Sequence, residues 1–326
     1  MFLGLIFAVA GLIVLAFAAG HFVAGAARIA AFSKVPPVVI GAVLIGFGTS
    51  APEMVVSGIA AGRGDLDIGV GNIIGSNVAN ISLVLAAAAV VRAIPVDSAT
   101  LRREVPISVA SVLVFALLVQ GEITRLDGGL LAALILVFLV FVLRSSSSSD
   151  VSFAGDVGEF VGDEPVVVGK EAARTLIGLV FVVGSSYFIV DGAERVANAL
   201  ELSGGFVGFT LVALGTSAPE LVTSVQAARQ GETELLVGNL LGSNVFNSLA
   251  VGGIIGLVGP GPVLDTTLAE TGSILMVVIV ITSAVFMLIG RSVGRNKAFV
   301  LFFLWVASIV VLSGGDTAEA AFTVLR

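Results

Sequence analysis

The chain has 326 residues, of which 57% are hydrophobic and only 12% are charged. Soluble domains carry about 25% charged residues, so this composition excludes an ordinary soluble protein and favours one embedded in lipid. There is no cysteine, which excludes disulfides and thiolate metal sites, and the single histidine, His21, excludes a multi-histidine metal centre within one chain. A net charge of −7 without a basic face argues against nucleic-acid binding.

Ten segments are long and apolar enough to cross a bilayer, whose core of about 30 Å needs about 20 apolar residues in a helix. In chain order they are 2–30, 35–61, 66–93, 103–120, 126–143, 171–199, 204–229, 234–258, 268–289 and 298–314. The stretch 144–168 differs from them, since it contains five consecutive serines and is rich in Asp, Glu and Gly. It is typical of a flexible acidic linker. The sequence therefore predicts an all-α integral membrane protein with ten transmembrane helices.

The basic residues in the connections test this count. Placing alternate connections on opposite sides puts twelve of the sixteen Lys and Arg residues on one side and four on the other. Cytoplasmic loops carry the excess of Lys and Arg. We therefore expect a multi-pass protein of the cell membrane with both termini outside and the 144–168 linker in the cytoplasm.

An internal repeat relates the two halves of the chain. Positions 41–80 align with 208–247 without a gap, and 21 of these forty pairs are identical, where composition alone would give about four. Each copy contains GTSAPE and, later, GN-x-x-GSN. The offset of 167 residues spans five predicted helices, an odd number, so the second copy is expected to be inverted. Residues 1–143 and 169–326 would then form inverted repeats, which in secondary transporters meet at a midplane site.

Two glutamates in the repeated motif are candidates for that site. Glu53 and Glu220 fall within apolar segments, where an ionised group costs at least ~2.5 kcal/mol and indicates function. Each follows a proline by one residue, so we expect breaks in the helices around residues 48–52 and 215–219. Such breaks free backbone carbonyls beside four hydroxyl groups, those of Thr49, Ser50, Thr216 and Ser217.

The second repeated motif supplies further oxygens. Asn72, Ser76 and Asn80 recur every four residues and share one helix face; the second copy has Asn239, Ser243 and Asn247. Carboxylate, hydroxyl, amide and carbonyl oxygens make a site for a hard cation, and Ca²⁺ takes 6–8 such ligands. Two glutamates balance one Ca²⁺ or two Na⁺, as an antiporter requires. For Asn72 and Asn239, a purely structural role in bonding helices together is the alternative.

These paired motifs resemble the α-repeats of the Na⁺/Ca²⁺ exchangers in the cation/calcium antiporter superfamily, particularly its compact prokaryotic members. The resemblance implies that Glu53 and Glu220 bind Ca²⁺ and that Na⁺ uses the same two carboxylates. It also implies that transport proceeds by alternating access. It also implies that the transported ions and membrane lipid are the partners, with no cofactor and no obligate protein partner. Further oxygens would come from Thr49, Thr216, Ser50, Ser217, Ser76, Ser243, Asn80 and Asn247.

One departure from the family pattern leaves the coupling ion open. Several relatives place aspartate at one of the positions held here by Asn80 and Asn247, which leaves the Na⁺ stoichiometry and any K⁺ requirement undecided. The alternatives are an H⁺/Ca²⁺ exchanger and a K⁺-dependent Na⁺/Ca²⁺ exchanger. A channel is disfavoured because a two-glutamate site would hold Ca²⁺ too firmly for fast conduction. An intramembrane enzyme is disfavoured because the repeated serines lack a GxSxG context.

Overall fold

The structure is a computed structural model that describes residues 1–35, 50–145 and 166–314, nearly all of them helical. Its helices are α1 (Phe2–Phe32), α2 (Ala51–Gly62), α3 (Leu66–Val91), α4 (Ser98–Arg102), α5 (Glu104–Leu118), α6 (Arg125–Ser145), α7 (Val168–Leu200), α8 (Gly204–Thr216), α9 (Ala218–Gln230), α10 (Thr233–Val245, continued through Phe246–Val251 and Gly252–Val258), α11 (Ser273–Leu288) and α12 (Arg295–Leu312). Four strands of two residues each lie between helices: β1 (Ile94–Pro95), β2 (Glu122–Ile123), β3 (Gly261–Pro262) and β4 (Ser292–Val293).

Most of these helices are built to face lipid. Among the described residues, seven helices have the length and apolar character of a membrane span, and α8 with α9 forms one further span broken by a bend of 45°. Large apolar side chains are exposed on the outer surface, with Leu117 74% and Phe17 72% exposed. In water such a surface would be unfavourable, whereas in lipid it is the expected one. The prediction of an all-α integral membrane protein is confirmed.

The helices α3 and α10 lie at the centre of the molecule. Of the most apolar stretch of each helix, 83% is buried in α3 and 78% in α10, against 17% in α6. Glycines let α8 approach α3: a Cβ added at Gly71 would lie 2.2 Å from the Gly205 carbonyl oxygen, and one at Gly75 would lie 2.3 Å from that of Phe209. Small residues allow this close approach of helix backbones in membranes.

The helices α1 and α7 form a closely packed antiparallel pair. Near the start of α1, an added Cβ at Gly192 would lie 2.5 Å from the Ala8 backbone nitrogen. Near its end, an added Cβ at Gly25 would lie 2.4 Å from Thr175 Oγ1. The beginning of α1 therefore meets the end of α7, and the end of α1 meets its beginning.

Two antiparallel ribbons connect the earlier and later parts of the chain. Strand β1 pairs with β4, and β2 pairs with β3. Each ribbon therefore joins one loop from residues 50–145 to one loop from residues 166–314. Both lie where long helices end, and so mark the limits of the spanning region.

The observed helix bounds agree closely with the predicted ones. The fifth and tenth predicted segments, 126–143 and 298–314, correspond to α6 and α12, displaced by at most a few residues. The second predicted segment is described only from Ser50 onward, and most of the 144–168 linker lies outside the described residues. The count of ten helices and the division into two repeats therefore stay predictions.

Candidate cation site

A helix break stands at the second GTSAPE motif, as predicted. Helix α8 ends at Thr216, α9 begins at Ala218, and the two are bent by 45°. Pro219 lies in the first turn of α9, where its missing N–H costs nothing. In the first motif α2 begins in the same way: Ser50 has φ −89° and ψ 5°, and Ser217 has φ −86° and ψ 5°. Gly48 and Thr49 lie outside the described residues.

Glu53 and Glu220 occupy the first turns of α2 and α9 and are buried, with 1% and 2% exposure. Because the N-terminus of a helix carries partial positive charge, it stabilises a carboxylate there. Glu53 faces the Thr216 and Ser217 side chains across the break and interacts electrostatically with Glu220. Every ion pair in the described part of the chain uses other carboxylates. The site thus brings together two acidic groups that have no basic partner among the residues described.

Several buried polar atoms of the two repeated motifs have no hydrogen-bond partner among the described residues. Buried groups of this kind cost about 1–3 kcal/mol each and call for an explanation such as an ion. Within the described residues they include Ser50 Oγ, Glu53 Oε2, Asn80 Oδ1, Ser217 Oγ, Glu220 Oε2, Ser243 Oγ, and Asn247 Oδ1 and Nδ2. These residues were singled out by the sequence, and all of the atoms but the last are oxygens. Asn77 Oδ1 and Ser224 Oγ, which the sequence did not single out, are likewise without a partner among the described residues. A hard cation would satisfy them, since Ca²⁺ takes 6–8 oxygen ligands.

Asn72 links α3 to α2 and to the end of α8. Its amide nitrogen donates to Ser57 Oγ at 2.9 Å, and its amide oxygen accepts from Thr216 Oγ1 at 3.1 Å. Ser76 Oγ lies 3.5 Å from the same oxygen. Asn72 therefore performs the structural role that was the alternative to ion binding, and it fixes the hydroxyl of Thr216. The equivalent Asn239 is only partly buried.

Two asparagines that the sequence analysis did not select lie beside the site. Asn77 donates from Nδ2 to Ser248 Oγ at 3.0 Å, and Asn244 donates from Nδ2 to the Asn77 carbonyl at 3.2 Å. Asn80 in turn donates from Nδ2 to Asn244 Oδ1 at 3.2 Å, which leaves its own Oδ1 for the site. The sequence does contain a signal for these two residues: they are the asparagines that end the GSN motif in each copy of the repeat.

The central helices change their winding at the site. A π-helical segment, Asn80–Val84, interrupts α3, and a second, Phe246–Val251, interrupts α10 and contains Asn247. Such π-helical insertions occur frequently at functional sites. The two interruptions stand at matching places in the repeat and position the two asparagines.

The predicted site residues are brought together from both parts of the chain. The structure buries Glu53, Glu220, Ser50, Ser217, Thr216, Ser76, Ser243, Asn80 and Asn247. They come from α2, α3, α9 and α10, from the end of α8 (Thr216), and from the residues just before α2 and α9 (Ser50 and Ser217). Of the ten residues selected from the sequence, Thr49 alone lies outside the described residues.

Comparison with known proteins agrees with this arrangement. The profile of the family described as sodium/calcium exchanger protein matches residues 3–144 and 171–314, which together make up most of the chain. This chain belongs to the sodium/calcium exchanger family. Members of the sodium/calcium exchanger family are transporters and not enzymes, so the enzyme alternative is excluded.

Relatives in the sodium/calcium exchanger family match along nearly their full lengths. The chain is 30% identical to the sodium/calcium exchanger MaX1 of Methanosarcina acetivorans, covering 96% of this chain and 97% of that protein. It is 31% identical to the inner membrane protein YrbG of Escherichia coli, covering 94% and 96%. A solved structure of the sodium-calcium exchanger NCX_Mj, soaked with Na⁺ and Sr²⁺, superposes with a TM-score of 0.65 at 29% identity, covering 95% of this chain and 98% of that one.

Proposed function

We propose that this protein is a secondary antiporter that exchanges Na⁺ for Ca²⁺ through a site between Glu53 and Glu220. One observation carries the proposal: two buried carboxylates that interact electrostatically lie at the starts of α2 and α9, without a basic partner among the described residues, and buried oxygens of the repeated motifs lack hydrogen-bond partners. The names of MaX1 and NCX_Mj, both sodium/calcium exchangers, support Na⁺ over H⁺ as the coupling ion.

The charge of the site explains why exchange would be obligatory. With both glutamates ionised, the site carries two negative charges, which one Ca²⁺ or two Na⁺ neutralise. An ionised side chain left unpaired at this depth costs at least ~2.5 kcal/mol. An empty, doubly charged site is therefore unfavourable to expose to either side in turn. The protein would change its orientation readily only when cations are bound.

We propose ten spans in a five-plus-five inverted repeat, with residues 1–143 and 169–326 as the two halves and 41–80 and 208–247 as their site-bearing segments. Three observations support this. Helices α1 and α7, which the 167-residue offset relates, run antiparallel. The same offset of 167 residues carries β1 onto β3 and β2 close to β4, so it exchanges the ribbon β1–β4 with the ribbon β2–β3. The family profile matches two segments of similar length, one in each half. Alternating access would operate at the interface of the halves.

We place the protein in the cell membrane with both termini outside, and the 144–168 linker in the cytoplasm. The three-to-one distribution of Lys and Arg between the two sides supports this orientation. No obligate protein partner is needed by the proposed mechanism, because every residue of the site belongs to one chain.

Uptake of ⁴⁵Ca²⁺ by proteoliposomes tests the proposal. Vesicles containing the purified protein would be loaded with Na⁺, K⁺ or acidic buffer and diluted into medium that imposes only that one outward gradient. We expect uptake with the Na⁺ gradient and background levels with the other two. Equal Na⁺ on both sides is the control and should abolish net uptake. Uptake that follows the pH gradient and ignores Na⁺ would refute the assigned coupling.

A further inference from the structure

A basic cavity lies beside the β1–β4 ribbon, far in the fold from the cation site. It has a volume of about 660 Å³ and is lined by nine residues. Three of these are basic, Arg92, Arg295 and Lys297, and none is acidic. The lining comes from the end of α3, the turn after α11 and the start of α12, so the cavity stands at the boundary of the spanning region. The basic residues of this cavity belong to the side that the charge distribution assigns to the cytoplasm.

Two of the three basic groups are held in place by the backbone. Arg295 donates from Nε to the Val90 carbonyl at 3.1 Å. Lys297 Nζ donates to the carbonyls of Phe286, Ile289 and Ser292. These acceptors are neutral, so the positive charges are fixed near the cavity without being cancelled. An anion could therefore bind without first displacing a salt bridge.

Apolar side chains border the same cavity. Val90 and Val91 at the end of α3 are each 41% exposed, and Leu288 and Ile289 at the end of α11 are 56% and 61% exposed. A ligand with a negatively charged head and an apolar body would contact both surfaces at once. Phospholipids have this structure, and basic pockets between helices on the cytoplasmic side of membrane proteins bind anionic headgroups.

The opposite ribbon provides an internal comparison. Helix α6 follows β2 as α12 follows β4, and each helix begins with an arginine, Arg125 and Arg295. Two residues later α6 has Asp127, whose carboxylate accepts from the Thr124 backbone nitrogen at 2.8 Å and from its hydroxyl at 2.6 Å. At that position α12 has Lys297, and its N-cap residue, Gly294, has no side chain to cap the helix. The start of α6 thus has its own carboxylate, whereas the first three residues of α12, Arg295, Asn296 and Lys297, include none.

We propose that this cavity binds the phosphate of an anionic phospholipid from the cytoplasmic leaflet, with Arg92 and Arg295 as its main contacts. The phosphate would lie beside these two guanidinium groups and the start of α12. The acyl chains would follow the exposed valine, leucine and isoleucine side chains at the ends of α3 and α11. Phosphatidylglycerol is the simplest lipid of this class.

Native mass spectrometry of the full-length protein in detergent tests the proposal. Short-chain phosphatidylglycerol would be titrated against the wild type, the double variant Arg92→Gln/Arg295→Gln and the matched control Arg125→Gln. We expect phosphatidylglycerol to bind more tightly than phosphatidylcholine. The double variant should lose affinity by roughly fivefold per arginine removed, and the control should retain it. All three arginines are exposed, and circular dichroism would verify that the variants are folded.

Two further measurements use the wild type alone, so they do not depend on whether a variant folds. They also decide whether the bound phosphate belongs to a lipid or is free phosphate. In the wild type, high salt should weaken phosphatidylglycerol binding because surface charges are screened. Inorganic phosphate in excess should compete only weakly, because it has no acyl chains. Complete competition by inorganic phosphate would show a site for free phosphate and overturn the lipid assignment. Equal loss of binding in Arg125→Gln, or equal affinity for phosphatidylcholine, would overturn the site itself.

Discussion

Removing one charge from the cation site should separate Ca²⁺ binding from protein folding. The substitutions Glu53→Gln and Glu220→Gln preserve side-chain size while reducing the site from two negative charges to one. A bound Ca²⁺ would then leave one positive charge unbalanced, whereas a single Na⁺ would still be neutralised. Because the two carboxylates are equally buried, both variants should behave alike.

The expected loss can be worked from the depth of the site. One unbalanced charge within the membrane costs at least ~2.5 kcal/mol, and every 1.4 kcal/mol changes a dissociation constant about tenfold. Ca²⁺ should therefore bind at least about 60-fold more weakly to either variant, and Na⁺-driven ⁴⁵Ca²⁺ uptake should fall to background. Equilibrium Ca²⁺ binding in detergent and uptake into proteoliposomes measure the two effects.

A matched control distinguishes this effect from a general loss of acidity. Glu270 lies three residues before α11, in the π-helical segment Leu268–Gly272, and is exposed, so Glu270→Gln should bind and transport Ca²⁺ as the wild type does. Thermal unfolding in detergent should show all three variants to be folded. Ca²⁺ affinity within about threefold of wild type in Glu53→Gln or Glu220→Gln would refute the reasoning, since that loss is below 1 kcal/mol.

Three other substitutions test contacts beside the site and an ion pair between α1 and α7. Asn72→Ala leaves two hydroxyl groups without their partner, so we expect a loss of about 1–3 kcal/mol in stability and weaker Ca²⁺ binding; unchanged unfolding and binding would contradict the positioning role. Gly75→Ala places a Cβ 2.3 Å from a backbone carbonyl of α8 and should cost about 1–3 kcal/mol, seen as a lower unfolding temperature, whereas Gly129→Ala, with open space around it, should be neutral. Arg28→Met removes the guanidinium 3.0 Å from buried Glu171, which keeps its contact with Arg174 at 3.6 Å, and should cost about 1.5–3 kcal/mol. The double variant Arg28→Met/Glu171→Met should recover most of that stability, and failure to recover would show that the pair is not the cause.

The helices were predictable because they depend on runs of apolar residues and on the prolines and glycines that interrupt those runs. A run of apolar residues in lipid has to satisfy its backbone internally, and a helix does so within one segment. The segment predicted at 126–143 is therefore close to the observed Arg125–Ser145. Pro219 likewise predicted the interruption at Ser217, since proline excludes the hydrogen bond that would continue the preceding helix.

The ribbons and the π-helical segments could not be predicted from local sequence. A strand of two residues such as Ile94–Pro95 has no periodicity, and its partner is distant in the chain. Asn80–Val84 contains ordinary helix-compatible residues, so its altered winding depends on the helices packed around it. Both features are products of tertiary structure, which a pattern within one segment does not encode.

The candidate site was predictable where a residue type was unusual for its surroundings. Glu53 and Glu220 stood out as acidic groups in apolar segments, and the repeat placed them in matching positions. Asn77 and Asn244 belong to the same repeated motif but lie on another face of their helices, so helical periodicity did not group them with the other oxygens. Their importance depends on which atoms meet across α3 and α10, and only the structure provides that information.

The two ribbons have a mechanical consequence for the rest of the molecule. Through paired strands, they join the group of helices α3–α6 to the group α10–α12 at both membrane surfaces. The α1–α7 pair takes no part in either ribbon and makes far more contacts within itself than with the other described helices. In the proposed alternating access the α1–α7 pair would move as one unit against the helices that the ribbons join. The packing lost would be the apolar cluster that Leu15 and Val182 share with Val56 and Val212.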